Sequence, residues 1–277
     1  MITDYERNHF PAHSYTRKAP AGVGSGSGAA QAGTGSDNYW VPIYGNASAQ
    51  RGSRPELLLW FFDSRSGKTM KKFNNTQIPD WIDQSVAKWV HSQVDGMQTA
   101  WTSVPPSLVF VHIPPHASAE TQQTEPYSLQ VGGVTDETPQ NYTTENRKYP
   151  GLNDDSGFEG QGGESPYNYT GQDLVALISF LQSAAGNARV HAIVSGHQHG
   201  NDWCAPSNLQ TRQKQIVPVC FAKHSGFGGY DYDNWNHGSR IFLFSLKDVG
   251  NSMQTYIRFL TGEVRYKTTV DAAWAIP

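Results

Sequence analysis

Charge is scarce in this sequence: 16% of its 277 residues are Asp, Glu, Lys or Arg, below the roughly 25% usual for soluble domains. The 21 basic and 24 acidic residues leave a net charge of -3, and no basic run stands out. That removes any electrostatic case for a nucleic-acid partner. Long hydrophobic runs are missing as well. The longest, Leu57 to Phe62, is strand-sized, whereas a membrane span needs roughly 20 apolar residues, so no span is expected. The opening residues, Met-Ile-Thr-Asp-Tyr-Glu-Arg, are charged and contain no apolar h-region, so no signal peptide is visible. Cysteine is limited to Cys204 and Cys220, too few for a disulfide scaffold and enough for one bridge. With no CxxC, a disulfide is favoured over a redox or zinc role, and a bridge there is worth roughly 3 kcal/mol. The absence of GxSxG or a Cys/His dyad argues against a serine or cysteine hydrolase.

What is present suits one domain with a sizeable core: 37% apolar and 12% aromatic residues, interrupted by 27 Gly and 16 Pro. Residues 21–36 (AGVGSGSGAAQAGTGS) read as a flexible linker. No strand precedes these glycines and no helix follows, so they are not a phosphate cradle. The expected division is residues 1–39, an N-terminal segment with that linker, and residues 40–277, the domain. Asn-x-Ser/Thr sequons start at Asn46, Asn74, Asn141 and Asn168. Together with an even cysteine count they point to a glycoprotein of the secretory pathway, secreted or vacuolar.

Strand and helix signals alternate. Glu56–Asp63 (ELLLWFFD) reads as a buried strand. Residues 80–92 read as a helix with Ile82, Val86, Trp89 and Val90 on one face. Ser107–Ile113 is a second buried strand, followed by a long polar stretch, 114–169, of the length that usually carries function. Thr170 caps an expected helix, with Asp173 three residues on and Leu174, Leu177, Ile178 and Leu181 inside. Gly186 ends it. Val190–Ser195 is a third buried strand. Strands follow at 216–222, 239–246, 253–260 and 263–269, the last two joined by a turn at Thr261-Gly262. Apolar strands alternating with helices predict a mostly parallel sheet covered on both faces, with ligands at the C-terminal ends of its strands.

Three histidines fall on that rim. His197 and His199 lie just past the Val190–Ser195 strand between Gly196 and Gly200. Outside a strand, i and i+2 side chains splay, so two imidazoles can serve metal ions a few Å apart. Exposed loop histidines are common, but this setting favours ligands. His112, at the end of its strand and rigidified by Pro114 and Pro115, is a ligand in company with the other two.

VHIPP (111–115), PGLNDD (150–155), YTGQD (169–173), SGHQHGNDWC (195–204) and CFAKHSGFGGY (220–230) resemble motifs of the calcineurin-like metallophosphoesterases. The likeness is to the fungal and plant branch related to purple acid phosphatases, and it extends from about NHFPAHSYT (8–16) to the C-terminus. It implies an α/β fold, the αββα metallophosphoesterase sandwich, here incomplete and limited to its C-terminal half. It implies hydrolysis of phosphate monoesters by a metal-activated water acting on a small phosphorylated substrate. His112 and His197 would bind one ion and His199 the other, the ions being divalent or mixed-valence Fe, Zn or Mn. His224 and Arg240 are each read two ways: facing a substrate phosphate, or an ordinary turn or strand-end residue.

The family's Asp-x-His, Gly-Asp and Gly-Asn-His-Asp blocks are missing from the sequence. Asn8-His9, in RNHFP, does not replace them. Gln198 stands where Asp is frequent, at a position that is not a ligand. Two divalent ions about 3.6 Å apart repel by roughly 18 kcal/mol at an effective dielectric near 20. Three neutral imidazoles cannot offset that, so at most one ion is expected; Asp154, Asp155 or Asp202 are the carboxylates that could substitute, and nothing in the sequence places them. The expectation is a fragment whose missing part supplies ligands, a signal peptide and cover for the sheet, leaving apolar strands open without it. The alternative is a non-catalytic secreted binding remnant or pseudoenzyme.

Overall fold

LLLWFF at Leu57–Phe62 is apolar at every position, a pattern a strand satisfies when both of its faces are covered. The computed structural model describes residues 2–24, 35–50, 52–69, 75–123, 151, 155, 161, 178, 181, 188–207, 216–231 and 235–272. Its elements are α1 (Ile2–His9), β1 (Tyr39–Ile43), β2 (Leu57–Phe62), α2 (Gln84–Trp101), β3 (Ser107–Val111), α3 (His116–Gln123), β4 (Val190–Ser195), β5 (Cys204–Pro206), β6 (Pro218–Phe221), β7 (Gly238–Leu243), β8 (Met253–Phe259) and β9 (Val264–Val270). One sheet has the order β1-β2-β3-β4-β6-β5 and a second has the order β7-β8-β9. The four central strands of the first sheet pair in parallel, while β1 and β5 pair antiparallel at its edges. The fold is thus mixed α/β, and its mostly parallel sheet is as the apolar runs predict.

Alternation along the strands assigns the two faces. Trp60, Val109, Val111, Ile193 and Phe221 share a core with Val86, Val90, Val94 and Met97 of α2. Leu108, Ala192, Val194 and Cys220 face the other way, onto Met253 and Val270 of the antiparallel sheet. Burial of each such side chain contributes about 1.5–3 kcal/mol against the entropy of ordering it. This corrects the expectation of open apolar strands. β4 and β6 are buried at every residue, because α2 covers one face of the sheet and β7–β9 cover the other.

Several boundaries also move. The helix starts at Gln84, later than position 80, because Asp83 caps it by accepting the Ser85 N–H at 2.9 Å. It then runs past 92, since Val94 and Met97 continue the apolar stripe. α3 occupies the start of the long polar stretch, most of which lies outside the described residues. Of the helix expected after Thr170, Ile178 and Leu181 are described; both are helical and fully buried. Cys204 and Cys220 sit opposite each other on β5 and β6 and form a disulfide. Among the described residues no helix is long and apolar enough to cross a membrane. Asn46 is exposed in a turn in which its side chain accepts from Ser48; the other three sequon asparagines lie outside the described residues.

Candidate metal centre

Three neighbouring parallel strands end at one rim, and each is followed by a histidine. His112 comes directly after β3, His197 lies just beyond β4, and His224 lies just beyond β6. Parallel pairing makes this convergence unavoidable, since like ends of the strands lie side by side.

The rings of His112 and His197 meet edge to face with centroids 5.3 Å apart. Partial desolvation of the His112 ring, and then the neighbouring imidazoles of His197 and His199, hold its pKa below the usual histidine value. The chain leaving β3 is held by Ser64, whose Oγ accepts the Ile113 N–H at 3.2 Å, and by Gln161, whose amide donates to the Ile113 carbonyl at 3.0 Å. The rigidity read from the two prolines therefore has further supports. His197 adopts φ 72°, a left-handed conformation that is uncommon outside glycine and carries strain.

His199 turns to other neighbours. Its Nδ1 lies 2.6 Å from the Tyr230 carbonyl oxygen, which can only accept, so Nδ1 carries the proton. Nε2 is then the ring nitrogen left to face a ligand, the arrangement that orients metal-binding histidines. The ring stacks on Tyr230 at 4.3 Å and lies parallel to His224 at 5.3 Å. Gly229 permits this packing: its φ is 91°, and a Cβ there would lie 2.9 Å from His199 Cε1. The Tyr230 hydroxyl donates to Asp155 and accepts the His199 N–H at 3.1 Å.

The remaining polar residues of the motif hold the turn. Gln198 is buried and accepts from the Asn201 side chain at 2.8 Å. Asp202 is buried against Lys223, with 3.4 Å between carboxylate oxygen and Nζ. Lys223 has φ 71°, so a second non-glycine residue of this rim is in the left-handed region. Arg240, 8% exposed, gives its donors to the Phe221 carbonyl at 2.7 Å, the Asp202 carbonyl and Thr255 Oγ1 at 3.1 Å. Burial lowers its pKa to about 10, with Asp202 acting in the opposite direction. Arg240 thus ties β7 to the turn after β4, and of its two readings the structural one fits. His9 stacks on Tyr5 within α1 at 4.0 Å.

One group was not read from the sequence. His224, Asp231 and His237 each bring a ligand atom into a cluster in which all such atoms lie within 4.8 Å of one another. His224 was singled out for its motif, but Asp231 and His237 carry no motif of their own. Their sequence signal is the density of His and Asp between β6 and β7. Neither models of protein families nor curated proteins match this chain.

Proposed function

We propose that this protein is a metal-dependent hydrolase of phosphate monoesters, of metallophosphoesterase type, with His112, His197 and His199 as metal ligands. The observation that carries the reading is the approach of the His112 and His197 rings, 5.3 Å apart, at the C-terminal ends of adjacent parallel strands. The orientation of His199 supports it, with Nδ1 held by the Tyr230 carbonyl and Nε2 left for a ligand. The motif resemblance supplies the reaction class.

His112 and His197 can share one ion, whereas His199 faces Tyr230 and His224, and among the described residues the three imidazoles form no single close cluster. A metal pair needs a bridging carboxylate, but Asp202 is engaged with Lys223, and Asp155 accepts from Tyr230 and from the Gly200 N–H at 3.4 Å. Asp154 lies outside the described residues. A single Fe, Zn or Mn ion would acidify a bound water and polarise a phosphoryl oxygen. The protein's own part is to hold imidazole lone pairs at fixed positions and to keep the turn rigid through Gln198, Asn201 and Asp202. The Cys204–Cys220 disulfide supports a secretory setting, secreted or vacuolar.

The engaged carboxylates favour a second reading, a pseudoenzyme that binds without turnover. Hydrolysis of an aryl phosphate by the metal-loaded chain separates the two. His197→Ala and His199→Ala are each expected to lower turnover by at least about a hundredfold. Turnover unchanged by either substitution overturns the ligand assignment. No turnover by the loaded wild-type chain leaves the binding reading in its place.

A further inference from the structure

We propose that His224, Asp231 and His237 form a second, separate site for one divalent transition-metal ion of the zinc class. It is independent of the phosphoesterase reading. The three residues occupy the connection between β6 and β7: His224 near its start, Asp231 in its middle, and His237 immediately before Gly238, where β7 begins. An ion held by them staples that connection at both ends.

The distances favour ligands over hydrogen-bond partners. His224 Nε2 lies 3.3 Å from one Asp231 oxygen and His237 Nε2 lies 3.6 Å from the other. Hydrogen bonds of this type run roughly 2.7–3.2 Å. Two ligands about 2.1 Å from one tetrahedral ion stand about 3.4 Å apart. The tautomer agrees. His224 Nδ1 lies 3.0 Å from the His199 carbonyl oxygen, which can only accept, so Nδ1 carries the proton and Nε2 the lone pair. His224 Nε2 thus lies near a carboxylate oxygen without hydrogen bonding to it, an arrangement that a cation between them relieves. Among the described residues neither His224 Nε2 nor His237 Nε2 has a hydrogen-bond partner, though both atoms are buried. An unsatisfied buried polar atom is costly, so two of them in one cluster call for an occupant.

The chemistry selects the ion. Two imidazoles and a carboxylate suit Zn, Co or Ni, whereas Mg and Ca favour all-oxygen shells. The His224 side chain is 5% exposed, that of His237 17% and that of Asp231 41%, so the coordination positions left over lie toward the Asp231 side, open to water. The site also bears on the first one. Tyr230, whose carbonyl holds His199 Nδ1, directly precedes Asp231.

The test is calorimetric titration of zinc into the full chain carrying H112Q and H197Q, which disables the other cluster. The proposal expects one zinc to remain bound, and expects D231N or H237Q, added to that background, to weaken it at least about tenfold. D231N alters an exposed carboxylate and is the variant safest for folding. If H237Q fails to fold, D231N decides. If the double-histidine background itself fails to fold, D231N in the wild-type chain must remove one zinc equivalent. Zinc binding unaffected by D231N, or no zinc bound without His112 and His197, overturns the site. Aryl phosphate turnover is a separate readout, so loss of the phosphoesterase reading does not decide this one.

Discussion

His197 and His191 show what single residues contribute on β4 and its exit. The left-handed backbone of His197 predicts a dissociation of stability from function. His197→Gly relieves the conformational strain and should be more stable than His197→Ala by about 1 kcal/mol in urea unfolding, though both lose the imidazole. Equal stabilities would mean that the backbone carries no strain. His191 is fully buried, its Nε2 lying 2.8 Å from the Val249 carbonyl oxygen. Burial lowers its pKa to about 4, partly countered by that hydrogen bond. The folded protein therefore holds the ring neutral, while the unfolded chain takes up a proton below about pH 6.5. The stability from this residue is complete above pH 6.5 and is lost as pH falls toward 4, by up to about 3 kcal/mol. Urea unfolding at pH 7.5 and 4.5 should show a larger loss in the wild type than in His191→Leu. Equal losses would exclude His191 as the cause.

At the scale of elements, the sequence showed most where apolar runs were continuous. β2, β3 and β4 announce themselves because parallel strands buried on both faces are apolar throughout, and Val190–Ser195 is placed to the residue. β1 and β5 carry no such signal: β1 has Pro42 at a sheet edge, and β5 is three residues long. α2 starts later than the apolar spacing suggests because Ile82 belongs to the core without belonging to the helix, while the cap at Asp83 sets the boundary. Asp83 also pairs with Arg65 at 3.1 Å. Asp83→Ala should therefore cost about 1–2 kcal/mol, read as a lower urea midpoint with an unchanged slope. A midpoint that does not move would show that the cap contributes nothing. The same scale explains the candidate site. His112 and His197 can be placed at one rim because each follows a recognisable strand, whereas Asp231 and His237 meet His224 through a connection whose path no periodicity encodes.

For the whole molecule, two layers cover a sheet whose parallel centre collects its histidines at one rim. The antiparallel sheet β7–β9 supplies the cover for the second face of the parallel sheet, and Arg240 fastens it to the turn after β4. That cover was hard to foresee, because a pattern of strands does not say which sheet they join. The central proposal for this protein is that the rim binds a metal and uses it to cleave phosphate monoesters. The most direct test is aryl phosphate turnover of one purified sample before chelation, after chelation, and after reloading with zinc, manganese or iron, with metal content measured each time. The expected result is turnover that disappears with the metal, returns on reloading, and is at least about a hundredfold lower in metal-loaded His197→Ala. Turnover that survives complete removal of metal, or a fully loaded chain that releases no phosphate, would contradict it.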